Sequence, residues 1–419
     1  MPLADLPARP GARAGSGPQA TALTGRLRIA TVIARLEGGA GLQALRGACA
    51  LDPDSFEVTL ITGRGNHLLA AAGRAGVRTR LEPALRHELD PVRDSQAVRR
   101  LTSFFRENRF DVVHTHGAKA GAVGRVAARR AGVPRIVHTY HGFPFHEFQS
   151  AVRRSAYVAI ERRLARVTDL LLCTGTAVAA EAIRRGLADP GRVRAIGVAV
   201  PGAEDKTVPD RRNPQARAQA RLALGLPAGA TVVGAVGRLT YQKAPEDFIA
   251  ALRRLGPGVT GVWIGDGELA GRMTRLAHTV LDGNVLFPGE RHDVPDLLPA
   301  LDVFALTSRY EGLPTVVVEA MLAAVPVVAT AVNATTDLVI PGETGLLVPP
   351  RRPGLLAGAV RQLLDSPAEA TRMAAAARDR IGARYGVAAL RDALVAAYAP
   401  DWPSGAGESA VSAGRSGSA

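Results

Sequence analysis

Short runs of apolar and β-branched residues alternate along the chain with longer stretches whose apolar positions repeat at helical spacing. Such alternation predicts β-α-β units, in which helices join parallel strands. A first series of strands is predicted at 28–33, 57–62, 111–114, 135–139, 170–174 and 194–198. A second series follows at 231–236, 261–264, 285–287, 303–307, 326–330 and 345–348. The pattern therefore predicts an α/β protein with two doubly wound, Rossmann-like parallel-sheet domains facing a cleft.

The less patterned stretches divide the chain. Residues rich in glycine, proline, serine and alanine predict disordered tails at both ends, and a polar stretch separates the two strand series. The last helical pattern could pack on either domain. The predicted divisions are a tail at 1–24, an N-terminal domain at 25–200, a linker at 201–221, a C-terminal domain at 222–385, a helix at 386–400 and a tail at 401–419.

Composition limits the class of protein. The 419 residues are 47% hydrophobic and 21% charged, which excludes global disorder and allows two cores. Two cysteines exclude a disulfide scaffold and a thiolate metal cluster, and they fit a reducing compartment. The N-terminus lacks the pattern of a signal peptide, and the longest apolar stretch, 320–332, is too short to span a bilayer. We therefore expect a soluble, cytoplasmic protein.

The net charge of +14 lies almost entirely in the first half. Residues 25–200 carry 28 basic and 15 acidic side chains, whereas residues 201–419 carry 22 of each. An excess of this kind favours an anionic partner: nucleic acid, a phospholipid surface or a phosphorylated substrate. Aromatic residues make up only 4%, and no nucleic-acid-binding module is present, so nucleic acid is the least favoured.

Two arginine-rich stretches, 92–109 and 152–166, also carry apolar residues at helical spacing. This pattern is typical of an amphipathic helix on a membrane surface, although a solvated arginine-rich face explains it equally well. We expect the first half to contact an anionic membrane surface. The apolar positions are Val98, Leu101 and Phe105 in one stretch and Val152, Ala156, Ile160 and Leu164 in the other.

Candidate chemistry is clearest in the second half. The strand at 231–236 is followed by Arg238 and Lys243, whose cationic side chains at the end of a strand suit a diphosphate, although a surface basic pair is the alternative. Farther on, Pro314 can start a helix. Glu311 precedes that helix, and Glu319 lies within it among apolar residues. A carboxylate in such surroundings needs a partner, either a ligand diol or a structural ion pair.

Residues 232–350 resemble the C-terminal domain of the GT-B glycosyltransferases of family 4, which are retaining enzymes that use nucleotide sugars. The resemblance depends on the order and spacing of several motifs together, and with the first half it covers about 370 residues. The matching stretches are 236–239, Lys243, 265–269, the Glu-x7-Glu pair of Glu311 and Glu319, 319–321, 326–330 and 342–349.

The resemblance implies a role for each matching residue. Arg238 and Lys243 would hold the donor diphosphate, and Glu319 would bind the ribose hydroxyls. Glu311 and the backbone near Gly312, Leu313 and Pro314 would hold the transferred sugar. A UDP-sugar is the expected donor, with no metal or other cofactor.

The first half adds a glycine-rich loop and a group of histidines. The sequence predicts that Gly39 lies in a loop between a strand and a helix, where backbone N–H groups can approach a phosphate. The histidines at 114, 116, 138, 141 and 146 suggest a metal, but no nearby carboxylate set completes a site, so we expect none.

This half resembles family members that build capsular, exopolysaccharide or other lipid-linked glycans. By that resemblance His141 lies at the reaction centre with Arg238, Lys243 and Glu311. His116, Gly117 and Lys119 lie on the acceptor side, where Lys119 could meet an acceptor phosphate.

The chain departs from the family pattern at several loop positions. Glycine is common in the family where this chain has Ala244, Ala324, Asn333 and Ala334, and an Asn-Gly-Val-Asp is common at 196–199. The charged donor-site residues are intact, so we expect activity. The loop changes leave the donor's identity open.

The sequence therefore predicts a retaining hexosyltransferase acting on a glycan or a polyprenyl-diphosphate-linked acceptor, with peripheral association at the inner membrane face. Three alternatives stay open. They are a nucleotide-sugar epimerase of the same shape, a basic nucleic-acid-binding protein, and a binding module without activity.

Overall fold

The computed structural model describes residues 26–86, 88 and 90–399, so the predicted tails at 1–24 and 401–419 lie outside the described residues. The first domain is built on a seven-stranded sheet in which every pairing is parallel. Its strands are β1 (Leu27–Leu36), β2 (Phe56–Gly65), β3 (Arg78–Leu81), β4 (Val112–His116), β5 (Arg135–Tyr140), β6 (Leu170–Cys173) and β7 (Val193–Ala195). Their spatial order is β3-β2-β1-β4-β5-β6-β7.

Helices connect these strands and cover the sheet, as parallel pairing requires. The helices of the first domain are α1 (Gly38–Ala50), α2 (His67–Arg74), α3 (Pro91–Asn108), α4 (Ala118–Ala131), α5 (Ala151–Ala165) and α6 (Thr176–Arg184). A 3-10 turn, Pro190–Arg192, precedes β7.

The second domain is built on a six-stranded parallel sheet with the order β10-β9-β8-β11-β12-β13. Its strands are β8 (Thr231–Val236), β9 (Val259–Ile264), β10 (Val285–Gly289), β11 (Val303–Leu306), β12 (Val327–Thr330) and β13 (Leu346–Val348). Its helices are α7 (Pro214–Ala223), α8 (Pro245–Leu255), α9 (Ala270–Leu281), α10 (Val294–Leu297), α11 (Thr315–Leu322), α12 (Thr335–Leu338), α13 (Pro353–Asp365) and α14 (Pro367–Ile381). The stretch predicted as a linker thus includes most of α7.

The last helix, α15 (Val387–Tyr398), packs on the first domain. Leu390 and Leu394 join the cluster of buried residues around Leu27 and Ile29, and the Tyr398 hydroxyl lies 2.6 Å from His114 Nδ1. The chain therefore returns to the first domain after completing the second.

The apolar stripe predicted on the first arginine-rich stretch faces the core. Val98, Leu101 and Phe105 of α3 are buried with residues of β1 and α4. They are unavailable to a membrane, and the expectation of a surface stripe there is wrong because the spacing also suits a helix that packs on a sheet. Among the described residues, every helix is too short or too polar to cross a bilayer.

The register of the first sheet brings several predicted site residues to one edge. Ile33 of β1 pairs with His116 of β4, and His116 pairs with Thr139 of β5. Because all strands are parallel, their carboxyl ends lie together and face the corresponding edge of the second sheet. Ligands of doubly wound proteins bind at such edges.

Candidate active site

A cleft with a cavity volume of about 840 Å³ lies between the two domains. Both domains contribute to its lining, mainly through loops that follow the carboxyl ends of strands. The cleft brings together nine residues predicted from sequence: Gly39, His141, Arg238, Lys243, Glu311, Gly312, Leu313, Pro314 and Glu319.

A smaller pocket of about 220 Å³ adjoins this cleft on the first domain. It contains His116, Gly117 and Lys119, which were predicted for the acceptor side. Gly39 and Arg238 line both spaces, so the two lie next to each other. A molecule in the smaller pocket can therefore approach one in the main cleft.

Lys243 is held by Glu311 across the cleft floor. Its Nζ lies 2.5 Å from Glu311 Oε1, which also accepts a hydrogen bond of 2.6 Å from Ser308 Oγ. Gln242 Nε2 donates to Glu311 Oε2 at 3.3 Å. Three donors thus fix this carboxylate, and the lysine ammonium is positioned at the end of β8 before any ligand binds.

The backbone around Lys243 is also fixed. Thr307 Oγ1, which follows β11, donates to Lys243 O at 2.6 Å, so the loops after two adjacent strands are joined. Arg309 N donates to Gln242 O at 2.8 Å in the same seam. These hydrogen bonds hold Lys243 beside Glu311 even when no ligand is bound.

Arg238 differs from Lys243 in having an exposed side chain. Within the described part of the chain, the Arg238 side chain makes no hydrogen bond or ion pair. The residue lines both the cleft and the smaller pocket. Its guanidinium is therefore available to an anion in the cleft.

Glu319 of α11 is half-buried in the cleft wall, and its side chain makes no hydrogen bond or ion pair with any described residue. Burial raises the pKa of Glu319 to about 7, and the Arg46 guanidinium opposes the rise. The structural ion pair considered from sequence is thus absent from the described residues. The carboxylate is left available to the hydroxyl groups of a ligand.

Arg46 is a residue that the sequence analysis missed. It lies on α1 of the first domain, where its Nη1 donates to Ala199 O at 2.5 Å, and burial lowers its pKa while Glu319 opposes the shift. Gln43, one helical turn earlier, also binds Ala199 through both its oxygen and its nitrogen. Arg46 therefore supplies a positive charge to Glu319 from the opposite domain. Its sequence signal is weak, because one more arginine in an arginine-rich chain is inconspicuous.

Two helices begin at the cleft without a side-chain cap. These are α1 at Gly38 and α11 at Thr315, one from each domain. The first N–H groups of a helix lack intrahelical partners and attract negative charge. Together with Arg238 and Lys243, they make the cleft suitable for a diphosphate.

The histidines form a buried, uncharged group at the carboxyl ends of β4 and β5. His116 Nδ1 lies 2.9 Å from His141 Nε2, with the two rings stacked at 5.1 Å. Burial lowers the pKa of His141 to about 4, so its imidazole is neutral at pH 7. His114 bonds Tyr398 and Thr139 through its two nitrogens, and His138 bonds Thr115. These contacts make His141 a hydrogen-bonding group on the cleft surface.

Lys119 is engaged by a neighbouring carboxylate. Its Nζ donates to both oxygens of Asp94, at 2.6 and 2.7 Å, and its side chain is only 7% exposed. It lines the smaller pocket at the start of α4, whose N-terminus carries no side-chain cap. A contact with an acceptor phosphate would thus require the ammonium to share its charge with Asp94.

The loops of the two domains touch beside the cleft. A Cβ added to Gly312 would lie 1.6 Å from His141 O, so only glycine fits where these backbones meet. Nearby, the rings of His146 and Tyr310 stack at 3.9 Å. Asp337 of α12 accepts hydrogen bonds from Thr176 N and Oγ1, both at 2.6 Å, at the start of α6. These contacts join the two domains in the arrangement described here, and sequence analysis did not find them.

Three of the four positions at which glycine is common in the family occupy left-handed backbone conformations in this chain. The φ angles are +51° at Ala244, +52° at Ala324 and +42° at Asn333. Glycine adopts this conformation with least strain, while asparagine tolerates it. Asn333 also accepts a hydrogen bond of 3.3 Å from Glu311 N. The chain therefore retains the backbone that glycine would give.

Two parallel-sheet domains face each other across a cleft, and one wall of the cleft carries cationic side chains that suit a diphosphate. This architecture defines the GT-B class of protein. Residues 38–199 match the glycosyl transferase 4-like domain, and residues 217–380 match the glycosyl transferases group 1 family. The chain is also 30% identical over 307 residues to the Escherichia coli UDP-Gal:alpha-D-GlcNAc-diphosphoundecaprenol alpha-1,3-galactosyltransferase, covering 71% of this chain and 77% of that protein. The protein belongs to the group 1 glycosyltransferases with a family 4-like N-terminal domain, and it is a glycosyltransferase.

One further relative and two solved structures are also similar to this chain. The Mycobacterium tuberculosis D-inositol 3-phosphate glycosyltransferase is 32% identical over 313 residues, which cover 69% of this chain and 61% of that protein. Anabaena HepE, solved with UDP and glucose, superposes with a TM-score of 0.74 at 22% identity, covering 88% of this chain and 98% of HepE. Thermosynechococcus elongatus sucrose-phosphate synthase gives a TM-score of 0.75 at 23% identity, with 89% and 98% covered. The two structures support the fold.

Proposed function

We propose that this protein transfers a hexose from a UDP-sugar to a hydroxyl group of a lipid-linked glycan that carries a diphosphate, with retention at the anomeric carbon. The observation that carries the proposal is the arrangement of Arg238, Lys243 and the available carboxylate of Glu319 in one cleft. The cations suit the diphosphate, and the carboxylate suits the ribose diol.

The relatives support the donor and the acceptor classes. The Escherichia coli relative is named for a UDP-galactose donor and a diphosphoundecaprenol-linked acceptor, and the mycobacterial relative for an inositol phosphate acceptor. Both acceptors carry phosphate. The smaller pocket, with Lys119 and the uncapped start of α4, is a place where such a phosphate could bind.

Retention follows from the family resemblance, and the state of the cleft carboxylates bears on how the reaction would achieve it. Glu311 is fixed by three donors, and it is therefore poorly placed to form a bond to the anomeric carbon. We infer front-face attack: the bond from C1 to the diphosphate oxygen breaks while the bond from C1 to the acceptor oxygen forms. The acceptor proton passes to the leaving diphosphate, whose negative charge Arg238 and Lys243 stabilise.

His141 would bind a sugar hydroxyl rather than transfer a proton. Its pKa of about 4 leaves the ring neutral at pH 7, so it has almost no proton to donate and is a weak base. Gly312 and Pro314 keep the start of α11 next to the cleft, where the transferred sugar would lie. Closing of the two domains around the donor would exclude water and limit hydrolysis.

The exposed face of α5 supports association with an anionic membrane. Val152 is 82% exposed and Ile160 is 38% exposed, with Ala156 exposed between them. Leu164, the last position of this stripe, is buried. The same helix exposes Arg153, Arg162 and Arg163. An apolar stripe flanked by arginines fits the inner membrane face, where a cell-surface polysaccharide would be assembled on a lipid carrier.

Flotation with liposomes tests this association. Liposomes with anionic lipid should carry the wild-type protein, whereas neutral liposomes should not, and Val152→Asp should lower the bound fraction. Leu222→Asp is the matched control, because Leu222 is also 82% exposed but lies on α7 of the second domain. Equal flotation with both lipids, or equal effects of the two substitutions, would contradict the membrane role of α5.

A transfer assay tests the proposed reaction. The protein is incubated with UDP-, GDP- and ADP-sugars and a polyprenyl-diphosphate-linked sugar, and the product is analysed by NMR. We expect an α-linked product from an α-linked UDP-sugar. Incubation without an acceptor distinguishes an epimerase from a transferase. An epimerised nucleotide sugar would support an epimerase, and slow release of free sugar would support a transferase.

A further inference from the structure

Outside the cleft, three metal-ligating side chains meet at the junction of the two domains. His67, Glu290 and His292 each place one ligand atom within 4.8 Å of the others. The imidazole rings of His67 and His292 have centroids 4.3 Å apart. All three residues are exposed and none lines the cleft, so the cluster is separate from the donor site.

The two histidines come from different domains. His67 is the first residue of α2, and Asn66 before it caps the helix by accepting a hydrogen bond of 3.1 Å from Leu68 N. Glu290 and His292 directly follow β10 in the second domain. Both sides of the cluster are thus attached to regular secondary structure.

The neighbouring charges are already paired. Arg291 lies between Glu290 and His292 in sequence, but its Nη2 and Nε bond the two carboxylate oxygens of Asp293 at 2.6 and 2.8 Å. The arginine charge is therefore compensated within the loop. Two imidazoles and one carboxylate remain, with a ligand atom of each within 4.8 Å of the others.

We propose that His67, Glu290 and His292 bind a Zn²⁺ ion, or a similar divalent transition metal, that links the two domains. Two imidazoles and a carboxylate form a donor set that Zn²⁺ accepts, with water as the fourth ligand. The ligand atoms lie within 4.8 Å of one another, and rotation of these exposed side chains would bring each atom to the roughly 2 Å distance that zinc requires. Because the ligands belong to both domains, the bound ion opposes separation of the domains, which donor entry and product release need.

Calorimetric titration of the untagged full chain with zinc chloride tests this site. We expect one ion per chain, and affinity weakened by more than roughly tenfold in His67→Ala and in His292→Ala, given that even outer-shell partners of a metal are worth 10- to 100-fold. His278→Ala is the matched control, because His278 is an exposed histidine on α9 outside the cluster. It should leave the affinity unchanged.

The two single variants distinguish a link between domains from a site on one domain. Zinc affinity equal to that of the wild type in His67→Ala would overturn the proposal, as would wild-type affinity in His292→Ala. Small-angle X-ray scattering gives the second readout. Zinc should narrow the pair-distance distribution of the wild-type protein but not that of His67→Ala. An unchanged wild-type profile with bound zinc would contradict the bridging role. Neither measurement depends on the sugar or the acceptor.

Discussion

Lys243 Nζ lies 2.5 Å from Glu311 Oε1, and this contact joins the end of β8 to the loop before α11. The ammonium is thus held in the cleft before a donor binds. An approaching diphosphate then finds the cation in place, which lowers the cost of organising the site at the moment of reaction.

Replacement of Lys243 tests this arrangement. Lys243→Ala should lower the transfer rate by roughly 100-fold, the usual cost of losing one preorganised charge-stabilising group. It also leaves the Glu311 carboxylate without its cation. Lys206→Ala is the control, because Lys206 pairs with Asp379 on the surface at 2.7 Å and does not line the cleft. Full activity of Lys243→Ala in a steady-state transfer assay would remove Lys243 from the proposed mechanism.

The ionisation of Glu319 predicts how nucleotide affinity depends on pH. With a pKa of about 7, this carboxyl loses its proton as the pH rises from 6 to 8, and the ionised form accepts hydrogen bonds from ribose hydroxyls. UDP should therefore bind more tightly at pH 8 than at pH 6, as measured by calorimetry. Glu319→Gln should bind UDP weakly and with little dependence on pH. Glu107→Gln, an exposed change on α3, should behave as wild type.

The same group predicts a change in stability. Its pKa in the folded chain, about 7, exceeds the ordinary value of 4.5, so its contribution to stability is fully present below pH 4.5 and is lost as the pH rises through 7. Glu319→Gln should therefore unfold at higher urea concentration than wild type at pH 8, by roughly 3 kcal/mol at most. At pH 5 the two proteins should be similar. Equal stability at pH 8 would show that the pKa of Glu319 is not raised in the folded protein.

Gly312 provides a test of the contact between the domains. Gly312→Ala would place a methyl group against His141 O, and backbone atoms on both sides leave little room for adjustment. We expect a large loss of transfer activity with a normal circular dichroism spectrum, because the change displaces loops rather than the cores. Gly358→Ala is the control, since a Cβ there meets nothing within 4 Å and lies within α13. An active Gly312→Ala variant would contradict the close approach.

Ala324 tests whether the departures from the family pattern are strained. A left-handed alanine costs about 1–2 kcal/mol, whereas glycine adds up to about 1 kcal/mol of unfolded-state entropy. Ala324→Gly should therefore stabilise the protein modestly, by up to about 1 kcal/mol in urea unfolding. Ala374→Gly in α14 should destabilise it by about 1 kcal/mol, since glycine is a poor helix former.

The sequence predicts every described strand of the two sheets except β3, because buried parallel strands are continuous apolar runs. It misses β3, whose four residues are Arg78, Thr79, Arg80 and Leu81, because this edge strand is largely exposed and has no apolar pattern. It also leaves the partner of α15 undecided. That choice depends on contacts such as the one between Tyr398 and His114, which are 284 positions apart.

The residues of the candidate site also fall into those that the sequence predicts and those that it misses. Arg238, Lys243, Glu311 and Glu319 are predicted because motif spacing and the ends of strands identify them. Arg46 and Asp337 are missed, because each acts on the opposite domain and its partner is defined only after both domains have folded. Residues whose role depends on contact between domains carry little local signal.

Titration of the protein with UDP is the most direct test of a nucleotide site in the cleft. One binding site per chain is expected, with affinity strongly reduced in Lys243→Ala and in Glu319→Gln and unchanged in Lys206→Ala. Wild-type affinity in both cleft variants, or no binding of UDP by the wild-type protein, would contradict the assignment of the cleft as the donor site.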